Sequence, residues 1–229
     1  GNGNNGTLIN GPLWITGKLG GALQFDGTND YVKVLDSPST SQTQKLTFSA
    51  WVNQNSLVAG KAIASKSGSV SADQAWVIQT DSTISSRLRV TLGTGGSNNG
   101  YTPTGSWTTG WHHVAFTFDG TQSTNANRLK IYIDGTEQPL TFSGTIPALL
   151  NDSSRPLEIG AFSTYSRYWN GLIDDVKIFN QALTPEEIRQ IAATQTSQRV
   201  LSRQELTASI ITNLERISEI LQKMLGQIQ

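Results

Sequence analysis

The sequence predicts an all-β body, sandwich or barrel, followed by an α-helical extension, and three observations predict it. From Leu19 to Phe179, short stretches rich in β-branched and aromatic residues recur between Gly/Asn/Asp/Ser clusters, the pattern of strands joined by tight turns. Asp26-Gly27, Asp119-Gly120 and Asp134-Gly135 fall between such stretches and supply the positive φ that a reversal requires. After Phe179 the hydrophobic period changes from that of a strand to that of a helix.

The clearest strands are expected at Ala22–Phe25, Tyr31–Leu35, Leu46–Val52, Ala62–Lys66, Ala75–Gln79, Arg87–Leu92, His112–Phe118, Leu129–Ile133, Leu157–Ile159 and Gly171–Phe179. Alternation assigns their faces: Val114, Phe116 and Phe118 fall on one side, His113, Ala115 and Thr117 on the other. Gly93–Gly105 and Gln122–Asn127 read as surface loops. Thr184-Pro185-Glu186-Glu187 has a capping hydroxyl, a proline at the first helical position and a glutamate three residues after the cap, so a short helix should open there and run to about Ala193.

Residues 194–199 read as a linker, and Ser202-Arg203-Gln204-Glu205 opens a longer helix reaching about Leu225. Its Ile210, Leu214, Ile217, Leu221, Met224 and Ile228 form a heptad seam, widened by Leu206, Ile211, Ile220 and Leu225. Such a helix must pack on something, either another copy or partner, as a coiled coil, or its own sandwich. The expected organisation is a β body over 1–195 and a linker with an amphipathic helix over 196–229.

Composition narrows the function. Among 229 residues, 17 Lys+Arg balance 17 Asp+Glu, so no net field attracts polyanions and nucleic acid is not an expected partner. Cysteine is absent, which removes disulfides, thiolate metal sites and cysteine nucleophiles. No apolar run approaches the roughly 18 residues of a membrane span. The chain opens without Met inside a Gly/Asn run and reads as a piece of a longer protein. A charged fraction of 15% amid abundant Ser, Thr, Asn, Gln and Gly suits a secreted or cell-surface domain.

Four stretches, in order, resemble the laminin-G-like, concanavalin-A-like lectin/glucanase superfamily. They are Gly20–Gly27 followed by Asp30-Tyr31-Val32; Phe48-Ser49-Ala50-Trp51-Val52; Trp111-His112-His113-Val114-Ala115 ending at Asp119-Gly120; and Gly171–Phe179 followed by Ala182-Leu183-Thr184 and Glu187-Ile188. The resemblance implies a two-sheet antiparallel jelly-roll sandwich. It also implies a structural Ca²⁺ between the early Phe-Asp-Gly turn and the late Ile-Asp strand, mapped onto Asp26 and Asp174 with Asn29, Asp30 and Asp175 as accessories. Two aspartates and loop carbonyls suit a hard cation that takes six to eight oxygens. The alternative is that Asp26 is a turn residue and Asp174 a solvated carboxylate.

Catalysis is not expected. Glucan-cleaving members of the fold carry a Glu-x-Asp-x-x-Glu run on one strand, placing two carboxylates toward the sugar, and the sequence has none. Asp174 and Asp175 are adjacent and should point to opposite faces, as should His112 and His113, while Glu186-Glu187 belongs to a helix cap. No Gly-x-Ser-x-Gly elbow occurs, and Gly93–Gly100 lacks the Gly-Lys-Ser/Thr ending of a phosphate loop.

Carbohydrate recognition needs aromatic faces and planar polar groups. Trp76, Tyr101, Trp107, Tyr165 and Tyr168 supply rings near loops and Arg89 and Arg167 supply donors, each with packing as its alternative; Trp51 and Trp111 are assigned to the core. The expected function is an extracellular, non-enzymatic binding or adhesion module for carbohydrate or a surface glycoprotein. Its alternatives are a subunit of an extracellular assembly held by residues 200–229, as a homo-oligomer or against the parent protein, and an accessory domain of a secreted glycoside hydrolase.

Overall fold

The computed structural model describes residues 3–68, 73–93, 98–151, 154–193, 214 and 217. The linker, the heptad seam, the 195/196 boundary and the oligomerisation expected of residues 200–229 lie outside the described residues, apart from Leu214 and Ile217, both helical and exposed.

In chain order the strands begin β1 (Gly6–Ile9), β2 (Leu13–Thr16), β3 (Gly21–Asp26), β4 (Tyr31–Val34), β5 (Lys45–Gln54) and β6 (Ala62–Ser67). They continue as β7 (Gln74–Thr80), β8 (Leu88–Leu92), β9 (Asn99–Tyr101), β10 (Gly110–Asp119), β11 (Leu129–Ile133) and β12 (Thr136–Glu137). The last are β13 (Thr141–Ser143), β14 (Leu157–Ile159), β15 (Ala161–Phe162), β16 (Arg167–Tyr168) and β17 (Asn170–Phe179). A one-turn helix α1 (Asn125–Arg128) precedes β11, and α2 spans 185–193.

The strands form two large antiparallel sheets, one of eight in the order β1-β4-β14-β6-β7-β8-β9-β13 and one of seven in the order β12-β11-β10-β5-β17-β3-β2. This is the jelly-roll sandwich with a short C-terminal helix. Every expected strand forms. Two expected loops contain structure: β9 lies inside 93–105 because Gly100 packs its backbone against Leu129, where a Cβ would come within 2.6 Å, and α1 closes 122–127 through a Thr124 cap.

Alternation builds the core. Phe48 and Val52 of β5, Val114, Phe116 and Phe118 of β10, and Trp76, Ile78, Leu88, Val90 and Leu92 of β7 and β8 meet between the sheets. Burial of this kind is worth about 1.5–3 kcal/mol per large side chain. The outer face of the seven-stranded sheet is covered in part by α2, whose Ile188 packs with Leu183 on Ala115 and Tyr132. The cap of α2 is reciprocal: Glu187 N–H donates to the Thr184 hydroxyl and the Glu187 carboxylate accepts from Thr184 N–H.

Gly171 explains the first residue of the β17 motif. Its φ is 143°, and a Cβ would stand 2.0 Å from the carbonyl oxygen of Asn53. Only glycine lets β17 approach β5 this closely.

Candidate functional site

Several of the candidate ligand-binding side chains gather on the outer face of the eight-stranded sheet. Antiparallel register places Tyr101 of β9 beside Arg89 of β8, Arg89 beside Gln79 of β7, and Gln79 beside Ala62 of β6. Because Trp76 and Ile78 point into the core, their neighbours Val77 and Gln79 must face outward. A short ribbon, β15 and β16 joined by a 3-10 turn at Ser163–Tyr165, folds over this face and packs Phe162 on Ala62 and Val77.

Sheet and ribbon enclose a pocket of about 230 Å³. Gln74, Gln79, Arg89 and Thr91 form its floor; Phe162, Tyr165 and Arg167 come from the ribbon. Gln79 is fully buried, and its Oε1 accepts a 2.8 Å hydrogen bond from Arg167 Nη1. The Nε2 of Gln79, the Nε of Arg89 and the Oε1 of Gln74 have no partner. Buried polar atoms are normally paired, so three orphaned groups around one hollow form a ready surface for a polar ligand.

The charges are held by a single acid. Asp81, almost fully buried, accepts from Arg87 Nη2 at 3.3 Å and lies 3.8 Å from Arg89 Nη1. Burial works against its charged form, but hydrogen bonds from Thr83 and Ile84 and the charge of Arg87 hold its carboxyl below the usual value. Arg167 lies 5.5 Å from the Tyr165 ring centroid and 6.0 Å from that of Phe162. Burial, and then the charge of Arg89, lower its affinity for a proton.

Of the ligand-binding residues expected from sequence, Arg89, Tyr165 and Arg167 therefore line one pocket. Tyr101 stands beside it in register, its ring 4.5 Å beneath the Arg87 guanidinium. Tyr168 lies elsewhere, 6.4 Å from Tyr31. Trp76 and Trp107 are corrections: Trp76 sits between Phe48 and Phe116, and Trp107, fully buried, donates to Gln54 Oε1 at 2.8 Å. Neither offers a face to a ligand. Trp111 is half-buried on the outer face of the seven-stranded sheet, beside Lys18 and Trp51. The sequence reading missed Trp14, 67% exposed on edge strand β2, and missed Gln74, Gln79, Thr91 and Phe162 altogether.

The expected metal residues do not form one coordination set. Asp26 faces Asn170 across the β3–β17 ladder; Asp174 is four residues farther along β17, roughly 13 Å at about 3.3 Å per residue. Asp174 Oδ2 accepts from Leu19 N–H at 2.7 Å. Asp26 Oδ1 closes its own turn by accepting from the N–H groups of Thr28, Asn29 and Asp30, and Asp30 Oδ2 accepts from Asp26 N–H. The Thr28 N–H above all lowers the Asp26 pKa, while burial raises that of Asp30. Among the described residues no three His, Cys, Asp or Glu side chains converge as for a metal. Asn29, Asp30 and Asp26 are turn residues, and a Ca²⁺ shared with Asp174 does not fit.

Asp174 and Asp175 do not form an acid pair for hydrolysis. The register of β17 slips between Asp174 and Lys177, so strict alternation, assumed for Asp174 and Asp175, fails there. Asp175 takes a φ of 49° and pairs with Lys177. His112 bridges the Asp134 carboxylate through Nδ1 and the Thr108 hydroxyl through Nε2, each at 2.8 Å; this joins β10 to the loop before it and to the turn after β11.

The model of the concanavalin A-like lectin/glucanases superfamily matches residues 26–189. The chain belongs to that superfamily. No curated protein sequence matches it. Among solved structures it resembles the binding domain of Paraclostridial Mosquitocidal Protein 1, with a TM-score of 0.65 and 15% identity over 85% of this chain and 48% of that one. The binding domain of botulinum neurotoxin DC, solved with rat synaptotagmin II, gives 0.60 and 16% over 84% and 48%. Domain 4 of AbnA, an extracellular GH43 arabinanase from Geobacillus stearothermophilus solved with arabinotriose, gives 0.53 and 22% over 82% of each. The superfamily member thus spans about half of the two toxin chains, and at these identities the likeness establishes the fold. No helix among the described residues is long and apolar enough to cross a membrane.

Proposed function

We propose that this superfamily member is a non-enzymatic carbohydrate-binding module acting outside the cell, with its sugar seated in the pocket between the outer face of β7–β8 and the β15–β16 ribbon. The observation that carries the reading is Gln79: a fully buried amide among the residues lining the pocket, whose Nε2 has no partner. An unpaired buried donor costs about 1–3 kcal/mol, which a ligand hydroxyl or carboxylate would recover on binding. Around it stand guanidinium donors and the Tyr165 ring, 47% exposed, the combination that holds sugar hydroxyls and covers an apolar sugar face.

The similar structures include a domain in complex with arabinotriose and a toxin binding domain in complex with SialylT, which is consistent with sugar or glycoprotein as ligand here. No carboxylate lines the pocket among the described residues, so it binds without supplying an acid pair. A glycan array probed with the wild-type chain and with Tyr165→Ala tests the reading. Binding that Tyr165→Ala weakens is expected; glycan binding indifferent to Tyr165 would move the site elsewhere, and no binding would overturn the function.

A further inference from the structure

The charge around the pocket specifies the class of sugar. Three guanidiniums, Arg87, Arg89 and Arg167, cluster near one carboxylate, Asp81. Arg87 is committed, its guanidinium against Asp81 on one side and over the Tyr101 ring on the other. Arg89 reaches Asp81 only at 3.8 Å and donates to the neutral Ser82 hydroxyl at 3.2 Å. Arg167 donates to the neutral Oε1 of Gln79. Glu158 gives its two oxygens to the Ser163 N–H at 2.8 Å and hydroxyl at 2.5 Å and is not among the pocket-lining residues.

Arg89 and Arg167 flank Gln79, one by strand register and the other by its hydrogen bond, and both line the same hollow, so the two cations repel each other. Like charges brought out of water are costly unless an anion joins them. A carboxylate is the group whose two oxygens match guanidinium N–H donors. Gln79, paired in register with Arg89 and hydrogen-bonded to Arg167 through Oε1, keeps an unpartnered Nε2, a further donor that suits an oxyanion or a neighbouring hydroxyl. Beside them the exposed Tyr165 ring can lie against the C–H face of a pyranose.

Building on the proposed carbohydrate site, we infer that its preferred ligand is an acidic sugar, a pyranose bearing a carboxylate, which Arg89 and Arg167 clamp while Gln79 donates to it and Tyr165 stacks on its ring. Two natural sources share this chemistry: a uronic acid within a polysaccharide and a sialic acid at the end of a glycoprotein chain.

The test is a titration of the full chain, followed by isothermal calorimetry and by the side-chain amide NMR signals of Gln79. The probes are trigalacturonate and its methyl ester, then sialyllactose and lactose. At least one acid is expected to shift the Gln79 signals and to bind about tenfold or more tightly than its uncharged counterpart, the ratio set by about 1.4 kcal/mol. Trigalacturonate alone would point to a polysaccharide and sialyllactose alone to a glycoprotein, and either supports the inference. Arg167→Gln should erase the preference for the acid, with folding checked by near-UV circular dichroism.

If ester or lactose shifts Gln79 as strongly as the acid does, the acidic class is wrong while the carbohydrate site stands. If no sugar disturbs Gln79, the site itself is wrong and the inference falls with it. Both outcomes are measured on the wild-type chain and do not depend on whether a variant folds.

Discussion

Gln79 Oε1 and Arg167 Nη1 meet at 2.8 Å although 88 residues separate them, and this bond ties the β15–β16 ribbon to strand β7. It fixes the guanidinium over the pocket and turns the other half of the amide, Nε2, into an unsatisfied donor. One side chain thereby positions a cation and leaves an unpaired amide donor in the proposed site.

Gln79→Leu removes both functions at nearly constant volume. The hydrogen bond to a charged group contributes about 2 kcal/mol, but the unpaired Nε2 that the substitution also removes costs about 1–3 kcal/mol, so the two nearly cancel and the melting temperature should move by no more than about 3 °C for a chain of this size. Sugar binding should weaken about tenfold or more, since Arg167 loses its anchor. Differential scanning calorimetry and calorimetric titration check the two effects separately. A fall of about 6 °C, the full ~2 kcal/mol of the lost bond, would mean that the unpaired Nε2 costs the folded chain nothing.

Trp76 and Tyr165 should respond in opposite ways. Trp76 lies between Phe48 and Phe116 in the core, so Trp76→Ala should cost about 3–5 kcal/mol yet leave the affinity of the folded fraction unchanged. Tyr165 is 47% exposed at the ribbon turn and packs edge-to-face on Phe162 at 4.8 Å, so Tyr165→Ala should cost only about 0.5–1.5 kcal/mol of stability while weakening sugar binding. Urea denaturation paired with binding isotherms decides. Loss of affinity in folded Trp76→Ala would return Trp76 to the site.

Much of this architecture was legible in the sequence because a half-buried strand writes its faces into alternate residues. Val114, Phe116 and Phe118 against Ala115 and Thr117 gave the two faces of β10, and the same rule applied to β7 separates inward Trp76 and Ile78 from outward Val77 and Gln79. The site was less legible. Reading tryptophans by their closeness to loops misplaced Trp76 and Trp107, since a ring beside a loop can equally close the end of the core. Gln79 carried no aromatic or charged signal, and its meaning comes from register: only pairing with Arg89 on one side and cover by Arg167 on the other single out an ordinary glutamine as a candidate binding group. The Asp26–Asp174 pairing failed for a related reason, since motif order places both on neighbouring strands but says nothing of the four residues between their rungs.

Calcium should have little effect on stability. With Asp26 Oδ1 taking three backbone N–H groups and Asp174 Oδ2 taking Leu19 N–H, each carboxylate already closes its own loop. A cation bound at about 100 times its dissociation constant would add about 2.7 kcal/mol, or several degrees. Melting temperatures in calcium and in EGTA should instead agree within about 2 °C. Asp174→Ala should destabilise equally in both, by about 1–3 kcal/mol, through the orphaned Leu19 N–H. A melting point that rises with calcium and loses that rise in Asp174→Ala would restore the metal.

The paired histidines should give opposite pH responses. His113 is buried with both ring nitrogens unpartnered, and burial pushes its pKa down from 6.5 to about 4. Between those values the unfolded chain binds a proton that the folded one refuses, so stability is complete above 6.5 and declines as the pH falls toward 4, by at most about 3 kcal/mol at 1.36 kcal/mol per unit. The hydrogen bond to Asp134 raises the pKa of His112; its contribution is therefore full below 6.5 and lost as the pH climbs through the raised value. Carboxylates such as Asp26 and Asp81, held below 3.8, lose their contributions only at lower pH, while Asp30, raised by burial, titrates alike in wild type and histidine variants, so the histidine effects between about 4 and 6.5 are read as differences from wild type. His113→Leu should thus be more stable than wild type at the acid end of that window and within about 1 kcal/mol of it at neutral pH, whereas His112→Gln should lose most at the acid end. Urea midpoints measured across the window test both, and a wild-type profile that His113→Leu leaves unaltered would show that His113 does not titrate there.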